Sequence, residues 1–366
     1  MPQLAGAPGR SDRGLSAAMR ISPARAAGWS AAVAAVAVVV AVAIVLASRS
    51  GSRTGSLPGG SASFPAPTTT VDPRTAPTPP ARAAYFGAFV QPEFFTQQAK
   101  IAAVDGLQGQ IGRRLDIVHT YLPWRAPFPD VSDLAFMRQG SILLVSWSGA
   151  DTRAIASGAY DAWIRARALA IKATGKPIFL EWCWEMNRPN LRYQVHSPAD
   201  YIAAWDHIRS IFAAEHVDNV AWVWCPSATA FATSLAQSYY PGDREVDWVC
   251  ADAYPRFGQH QSFAELVQPV LDWAAHHSKP LMFGEFGVPE SYTPQQRAQW
   301  LRDAAKVAQG DPQVKALVYY DADPAGTQPQ LSYSYSLRGG SPAMQAFRAA
   351  ADQRYFNPRD LAVPGH

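Results

Sequence analysis

The chain has 366 residues, of which 48% are hydrophobic and 17% charged, so it carries enough apolar side chains for a large core and is not disordered throughout. Its formal net charge of +3 equals the excess of arginine over aspartate in residues 1–28, so the remainder is close to neutral. Without a basic excess in that remainder, a nucleic-acid-binding protein is disfavoured.

Residues 29–47 form an uncharged run made almost entirely of Ala, Val, Ile and Leu. A span of about 20 apolar residues crosses a bilayer, so this run predicts a transmembrane signal anchor. Arginines in residues 1–28 mark that segment as a cytoplasmic head by the positive-inside rule. We therefore expect a single-pass cell-membrane protein whose main domain is extracytoplasmic. Secretion after cleavage of a signal peptide is the alternative; the long apolar run without a clear Ala-x-Ala site favours the anchor.

Residues 48–81 are rich in Ser, Thr, Gly, Pro and Ala, a composition typical of a disordered linker. The pattern changes near residue 82, where apolar runs begin to alternate with amphipathic stretches. We assign residues 82–356 to one catalytic domain and residues 357–366 to a C-terminal tail.

Eight apolar runs in that domain predict β-strands. They cover residues 85–90, 115–122, 142–147, 178–184, 220–225, 246–253, 281–286 and 316–320. Helical patterns lie between several of them, at 159–174, 198–216, 263–277 and 294–309, the last three after Ser197, Ser262 and Thr293. Alternating strands and helices predict a parallel sheet, and eight such units fit a (β/α)8 TIM barrel. An open doubly wound sheet is the main alternative, although no G-x-G-x-x-G follows the first strand.

Barrel strands alternate between the lumen and the helix layer, and active sites lie at the C-terminal rim. In the fourth strand the odd positions predict that Glu181, Glu185 and Asn187 face the axis, while the even positions are all apolar. The same alternation groups Leu281, Phe283 and Glu285 in the seventh strand.

In the sixth strand, Trp248, Cys250, Asp252 and Tyr254 share one face by the same alternation. The sequence therefore brings Glu185, Asp252, Tyr254 and Glu285 to one rim.

The three cysteines, Cys183, Cys225 and Cys250, are far apart in the sequence and contain no C-x-x-C pair. This spacing argues against a zinc site, and neither a metal nor a cofactor is expected. An odd number leaves at least one thiol free or paired between chains. We expect the cysteines to be small, buried hydrophobic residues near strand ends, and we favour this over a disulfide.

Two carboxylates across a barrel mouth suit glycoside hydrolysis, in which one protonates the leaving oxygen and the other attacks the anomeric carbon. Glu185 lies among Trp182, Cys183 and Trp184, with Glu181 one pleat deeper. Burial and a like charge both raise a carboxyl pKa, so we predict that Glu185 is the acid/base. Glu285 is the predicted nucleophile, kept ionised by a hydrogen bond from Tyr254. A structural role for either glutamate alone is the simpler alternative.

Tryptophans at strand ends are candidate sugar platforms, because the C–H face of a pyranose packs on an aromatic ring. Trp147 and Trp224 are such residues, and core packing is an equal alternative for each. His119 is expected to be a hydrogen-bonded strand-end histidine that also contacts a sugar hydroxyl at the rim.

Four ordered motifs, GKPIFLEWCWEMN, VAWVWCPS, VDWVCADAYP and KPLMFGEFG, resemble those of glycoside hydrolase family 26. The resemblance covers roughly residues 84–350 and implies a retaining (β/α)8 glycosidase. It implies that Glu185 is the acid/base, that Glu285 is the nucleophile, that Tyr254 contacts the nucleophile and that Trp224 contacts sugar. The family is best known for endo-β-1,4-mannanases, with some β-1,3-xylanases and mixed-linkage β-glucanases.

Two positions depart from that family's pattern. Trp184 stands where a histidine usually precedes the acid/base, and Arg188 stands where glycine commonly follows E-M-N. The first change affects a substrate-binding position, so the preferred glycan is open between β-mannan and related β-glycans. The expected partner is a polysaccharide; the oligomeric state is not indicated. A catalytically silent polysaccharide-binding barrel and an anchored component that processes the cell's own exopolysaccharide are the alternatives.

Overall fold

The structure is a computed structural model that describes residues 75–256, 258–324 and 334–361. In this part of the chain, parallel strands follow one another around a closed barrel, and the last strand pairs with the first. The strands are β1 (Tyr85–Val90), β2 (Ile117–Leu122), β3 (Ile142–Trp147), β4 (Ile178–Trp182), β5 (Val220–Trp224), β6 (Trp248–Ala253), β7 (Leu281–Phe286) and β8 (Val314–Asp321). The predicted (β/α)8 barrel is confirmed for the described residues.

Helices connect the strands and surround the barrel. They are α1 (Gln97–Ile111), α2 (Val131–Arg138), α3 (Thr152–Ala156), α4 (Asp161–Thr174), α5 (Arg192–Val195), α6 (Pro198–Ala214), α7 (Phe263–Ala274), α8 (Pro294–Gly310) and α9 (Pro342–Ala351). The predicted caps are confirmed: Ser197, Ser262 and Thr293 each accept a backbone hydrogen bond from the third residue of the helix that follows. No helix was predicted for the stretch that α1 occupies.

Strand positions agree with the sequence prediction to within a few residues. The difference that bears on the site is at β4, which ends at Trp182 and not at residue 184. Between β5 and β6 the described chain forms two 3-10 helices, Ala228–Thr233 and Ala236–Tyr239, in place of an α-helix. This connection departs from a strictly regular (β/α)8 pattern.

Buried side chains form two layers. The lumen holds a smaller apolar cluster that includes Phe179, Trp248 and Cys250, and the larger cluster lies between the strands and the helices. The predicted alternation is confirmed along β6 and along β4 as far as Trp182, which packs in the outer layer. Cys183, the next residue, also lies in the outer cluster, so the lumen assignment implied by its odd position is wrong.

The predicted face of β7 is also wrong in part. Leu281 and Phe283 pack in the outer layer, and Met282 lies in the lumen. A register shift between β7 and both neighbouring strands falls before Glu285. A β-bulge of this kind turns the following side chain to the other face of the strand. Regular alternation after Leu281 and Phe283 would place Glu285 in the outer layer, and the bulge brings it to the barrel mouth instead.

Cys225 and Cys250 form a disulfide, which corrects the expectation of separate buried thiols. Strand pairing explains the error, because Val223 lies opposite Trp248 and Trp224 opposite Val249. The next pair in that register is Cys225 and Cys250, with Cα atoms 4.3 Å apart. Cys183 is a free, buried thiol.

In the part of the chain that the structure describes, no helix is both long enough and apolar enough to cross a bilayer. The predicted head at 1–28 and anchor at 29–47 lie outside the described residues, as does most of the predicted linker at 48–81. The boundaries assigned to these segments therefore remain predictions.

Candidate active site

Glu285 lies near the end of β7 and is 6% exposed. Two phenols hold its carboxylate. Tyr254, just beyond β6, donates a hydrogen bond of 2.7 Å to Oε2, and Tyr121 of β2 donates one to Oε1. The contact with Tyr254 is the one that the family resemblance implies. Both carboxylate oxygens are therefore fixed in position by donors from two other strands.

Burial, and to a smaller extent the nearby charge of Glu185, raise the pKa of Glu285, which lies at about 7 after all its contacts are counted. The hydrogen bonds from Tyr121 and Tyr254 and the positive charge of Arg188 oppose this rise. The predicted hydrogen bond from Tyr254 is present and favours the ionised form, but it does not outweigh the effect of burial. At neutral pH the carboxyl is poised between its two protonation states.

Glu185 reaches the same mouth by an unusual backbone path. Strand β4 ends at Trp182, and Cys183 and Glu185 then adopt positive φ angles of 53° and 48°. Such angles are strained for residues other than glycine. The N–H of Glu185 donates a hydrogen bond of 2.7 Å to the carbonyl of Cys225, which holds the strained turn against the end of β5.

The carboxylate of Glu185 forms an ion pair with Arg188, with 2.6 Å between Oε2 and Nη1. Burial raises the pKa of Glu185, as predicted, and the guanidinium of Arg188 opposes that rise. The side chain of Glu185 is 13% exposed and that of Arg188 is 50% exposed. The ion pair therefore lies at the boundary between the site and solvent.

Glu181 does not supply the like charge expected beneath Glu185. It is fully buried in the lumen, where it accepts a hydrogen bond from Ser146. Burial raises the pKa of Glu181 well above the usual value, which favours its neutral form. Burial of Glu185 itself, and not the charge of Glu181, is the main cause of the raised pKa of Glu185.

Asp252 is also buried, at 2% exposure, and lies beneath the mouth and not at its surface. Its Oδ1 atom is 3.2 Å from Sγ of Cys225. Glu181, Asp252 and the two disulfide sulfurs lie within 4.8 Å of one another. This donor set does not fit a metal ion, since the sulfurs are consumed in the disulfide and burial favours the protonated form of both carboxyls.

Trp147 and Trp224 are fully buried in the outer layer, so the structure does not bring these predicted sugar platforms to the mouth. Trp147 stacks on Trp124 with ring centroids 4.4 Å apart. The indole N–H of Trp224 donates to the carbonyl of Tyr239 over 3.1 Å. Because each residue points away from the lumen in its strand, core packing explains both.

His119 lies one pleat below the rim, with a side chain that is 0% exposed. Its Nε2 atom is 2.6 Å from Oγ of Ser146, and burial lowers its pKa to about 3. The predicted hydrogen-bonded histidine is present, with the ring of Tyr121, the next inward residue of β2, 4.5 Å away between centroids. The predicted contact of His119 with a sugar stays a prediction.

Two predicted residues remain at the mouth. Asn187 is half-buried and bonded to Ser227, with its amide N–H₂ donating over 2.7 Å to Oγ and its carbonyl oxygen accepting from the Ser227 N–H over 3.1 Å. It joins the loops after β4 and β5. Trp184 is half-buried, with its ring centroid 5.3 Å from that of Tyr121. It thus borders the residues that hold Glu285.

Tyr121 and Arg188 are the contacts of the two glutamates that sequence reasoning did not assign. The alternation that worked for β6 would have found Tyr121, because Ile117 is a lumen residue and Tyr121 is the last inward position of β2. For Arg188 the signal was its departure from the family's glycine. Its partner depends on the strained turn after β4, which no periodicity predicts.

No protein-family model matches the chain. Over 224 residues the chain is 31% identical to Endoglucanase H from Acetivibrio thermocellus, a match that spans 57% of this chain. The chain covers only 25% of the length of that protein.

Solved structures with the same fold include β-mannanases of glycoside hydrolase family 26. The enzyme from Bacteroides ovatus is 14% identical with a TM-score of 0.58, covering 75% of this chain and 90% of that one. The catalytic domain of the endo-β-1,4-mannanase from Bacillus sp. JAMB-750 is 14% identical with a TM-score of 0.57, covering 75% and 87%. At this identity the likeness shows a shared fold, and it confirms the resemblance to the family at that level.

Proposed function

We propose that the protein is a retaining, endo-acting β-glycoside hydrolase of the family 26 type that cleaves β-mannan or a related β-glycan. The observation that carries the proposal is the pair of glutamates at one barrel mouth, with Glu285 held by two tyrosine hydroxyls. Glu185 lies close enough to raise the pKa of Glu285. The similarity to Endoglucanase H and the fold shared with β-mannanases support the same reaction class.

In the proposed first step, a carboxylate oxygen of Glu285 attacks the anomeric carbon while Glu185 donates its proton to the leaving glycosidic oxygen. The glycosidic bond breaks and a covalent glycosyl ester forms on Glu285. In the second step Glu185 removes a proton from water, which attacks the same carbon and releases the sugar with retained configuration. Tyr121 and Tyr254 hold the carboxylate for attack.

This mechanism needs Glu285 ionised and Glu185 protonated at the same time. The two carboxyls are coupled, because ionisation of Glu185 raises the pKa of Glu285. In the expected active form, the pair of carboxyls therefore carries one proton in total, as in other enzymes where one carboxyl is the acid and the other is ionised. Arg188 shifts this balance towards an ionised Glu185 in the free protein.

A panel of polysaccharides tests the proposal: mannan, lichenan, mixed-linkage β-glucan and β-1,3-xylan, each read by the release of reducing ends. We expect turnover of at least one, and its loss in Glu285→Ala with polysaccharide binding retained. A catalytically silent binding barrel predicts binding without turnover in the parent and in Glu285→Ala alike. Turnover confined to the polysaccharide of the producing cell would favour the anchored processing component.

We also propose that the catalytic domain is held outside the cell membrane by the apolar segment at 29–47. The arginines before that segment and the Pro-, Ser- and Thr-rich composition after it support this orientation. Protease added to intact cells is expected to cut within residues 48–81 and release a folded domain. A domain that stays protected until the cells are lysed contradicts the proposed orientation.

A further inference from the structure

A pocket of ≈ 320 Å³ opens beside Glu185, between the end of β3 and the turn that carries Arg188. This volume is in the range of small-molecule sites, about 300–1,000 Å³. Its lining combines one cation, Arg188, with the side-chain amides of Asn190 and Gln194 and the aromatic rings of Trp184 and Tyr193. Neither the proposed reaction nor the contacts of Glu285 use this pocket.

Arg188 links the pocket to the proposed acid/base. Its Nη1 atom contacts Glu185, while the side chain as a whole remains 50% exposed. A guanidinium carries five N–H donors in a planar fork that matches a carboxylate with two parallel hydrogen bonds. In the described part of the chain, the contact with Glu185 accounts for one of these donors, so the fork retains donors that face outward.

Tyr193 supplies the other half of a sugar site. The residue is 75% exposed, which is unusual for a large aromatic residue, and it lines the same pocket as Trp184. Aromatic faces pack against the C–H face of a pyranose ring. The pocket therefore offers ring surface for a sugar, amides for its hydroxyls, and a cation for an acidic substituent.

We propose that this pocket is a subsite for a hexuronic acid residue of the substrate, with the sugar carboxylate bound by Arg188. The inference rests on the proposed function, since it assigns one substrate class to the same cleft. A neutral sugar leaves the guanidinium with Glu185 as its anionic partner, and a uronate gives it a second.

The second partner changes the state of Glu185. In the free protein Arg188 favours ionised Glu185. When a substrate carboxylate takes over the guanidinium, that stabilisation weakens, and protonation of Glu185 becomes more favourable. The ionisable groups that face Glu185 are Arg188, Glu181, Asp252, Glu285 and Tyr320. Burial raises the pKa values of Glu181, Asp252 and Tyr320, which favours their neutral forms. We therefore expect the exchange of partners to act mainly on Glu185 and Glu285.

Binding to a hydrolysis-deficient Glu285→Gln protein tests the subsite. The probes are tetrasaccharides of β-1,4-mannan and mixed-linkage β-glucan, each compared with the same tetrasaccharide oxidised to a carboxylate at C6. We expect an oxidised probe to bind at least 10-fold more tightly than its neutral parent at low salt. The advantage should shrink in 0.5 M NaCl, because the contact is between exposed charges.

Adding Arg188→Gln to this protein should abolish the preference for the oxidised probe. Adding Arg192→Gln, an exposed arginine on α5 that does not line the pocket, should leave the preference intact. Calorimetry in buffers of different ionisation enthalpy should show more proton uptake with the oxidised probe than with the neutral one.

Three outcomes would each overturn the proposed subsite. They are equal affinity for the neutral and oxidised probes, failure of both probes to bind, and a preference for the oxidised probe that survives Arg188→Gln. These outcomes differ from failure of the proposed function. That failure appears as a parent protein without turnover on any glycan, whereas the binding preference is measured in a protein that has no turnover.

Discussion

The hydroxyl of Tyr254 donates a hydrogen bond of 2.7 Å to Oε2 of Glu285, while Oε1 accepts from Tyr121. These bonds favour the ionised carboxylate, whereas burial and the charge of Glu185 favour the protonated form. The balance raises the pKa of Glu285 to about 7. The hydroxyls therefore control the pH range in which Glu285 is a nucleophile.

Removing one donor should shift that range. Activity needs ionised Glu285, so kcat/KM rises with pH through the pKa of this group. A hydrogen bond to a charged group contributes about 1.5–3 kcal/mol, and one pKa unit corresponds to about 1.4 kcal/mol. Tyr254→Phe should therefore move the acidic limb of the kcat/KM profile upward by roughly one unit or more.

Tyr319→Phe is the matched control for that measurement. Tyr319 also donates a hydrogen bond of 2.7 Å, but to the carbonyl of Tyr335 on the outer side of β8. Its loss should leave the acidic limb in place, whatever its effect on stability. An acidic limb that moves equally in both variants, or in neither, contradicts the role given to Tyr254.

The ion pair between Arg188 and Glu185 predicts a change in the opposite limb. Activity needs protonated Glu185, so kcat/KM falls as pH rises through the pKa of that group. An adjacent cation lowers a carboxyl pKa by about 1–3 units, and partial exposure favours the lower end. Arg188→Gln should move the basic limb upward by roughly one unit. Arg188→Lys keeps the charge and should shift it less; a basic limb at the parent position in Arg188→Gln would exclude the ion pair from catalysis.

Gly284, the residue before Glu285 in β7, packs directly against the disulfide. A Cβ atom at this position would lie 2.6 Å from Sγ of Cys250 and 3.3 Å from Sγ of Cys225. Because the disulfide cannot move aside, Gly284→Ala should destabilise the protein by about 1–3 kcal/mol and displace Glu285. Denaturant unfolding and turnover should both report the loss.

Gly106→Ala provides the comparison for Gly284→Ala. Gly106 is an exposed residue of α1, and a Cβ atom there has no neighbour within 4 Å. The substitution should stabilise the protein by about 0.5–1 kcal/mol without affecting turnover. Equal effects of the two alanine substitutions would show that Gly284 has no special place in the site.

The disulfide between Cys225 and Cys250 predicts the thiol count. Unfolded without a reductant, the protein should present one thiol, that of Cys183; after reduction it should present three. In the folded protein Cys183 should react slowly, since burial raises its pKa to about 12. Three thiols in the unfolded, unreduced protein would contradict the disulfide.

Most of the barrel follows from the sequence, because strand runs and helix caps are local signals. The period-2 alternation of β6 brings Tyr254 to the mouth, and the motif order brings Glu185 and Glu285 to strand ends. The prediction fails where the backbone leaves regular geometry: positive φ angles after Trp182 redirect Cys183 and Glu185, and the bulge in β7 reverses the face of Glu285.

Other errors came from contacts between segments distant in sequence. Pairing of Cys225 with Cys250 depends on the register of β5 against β6, which spacing along the chain does not reveal. Trp147 and Trp224 lie at strand ends as expected. Whether such a residue contacts sugar or packs in the core depends on the face of the strand it occupies, and both residues lie on the outer face. The charge state of Glu181 likewise depends on burial from every side of the lumen.

Azide rescue is the most direct test of the two-glutamate assignment. Glu185→Ala, given an aryl β-glycoside with a good leaving group, should form the glycosyl-enzyme and then stall, because water lacks its base; a loss of about 10²–10⁴ is typical of general acid/base removal. Sodium azide needs no base, so it should restore turnover and yield the β-glycosyl azide, identified by NMR. Azide should yield no β-azide with Glu285→Ala. If Glu185→Ala and Glu285→Ala both match the parent on every substrate, or if azide changes neither, the assignment is wrong.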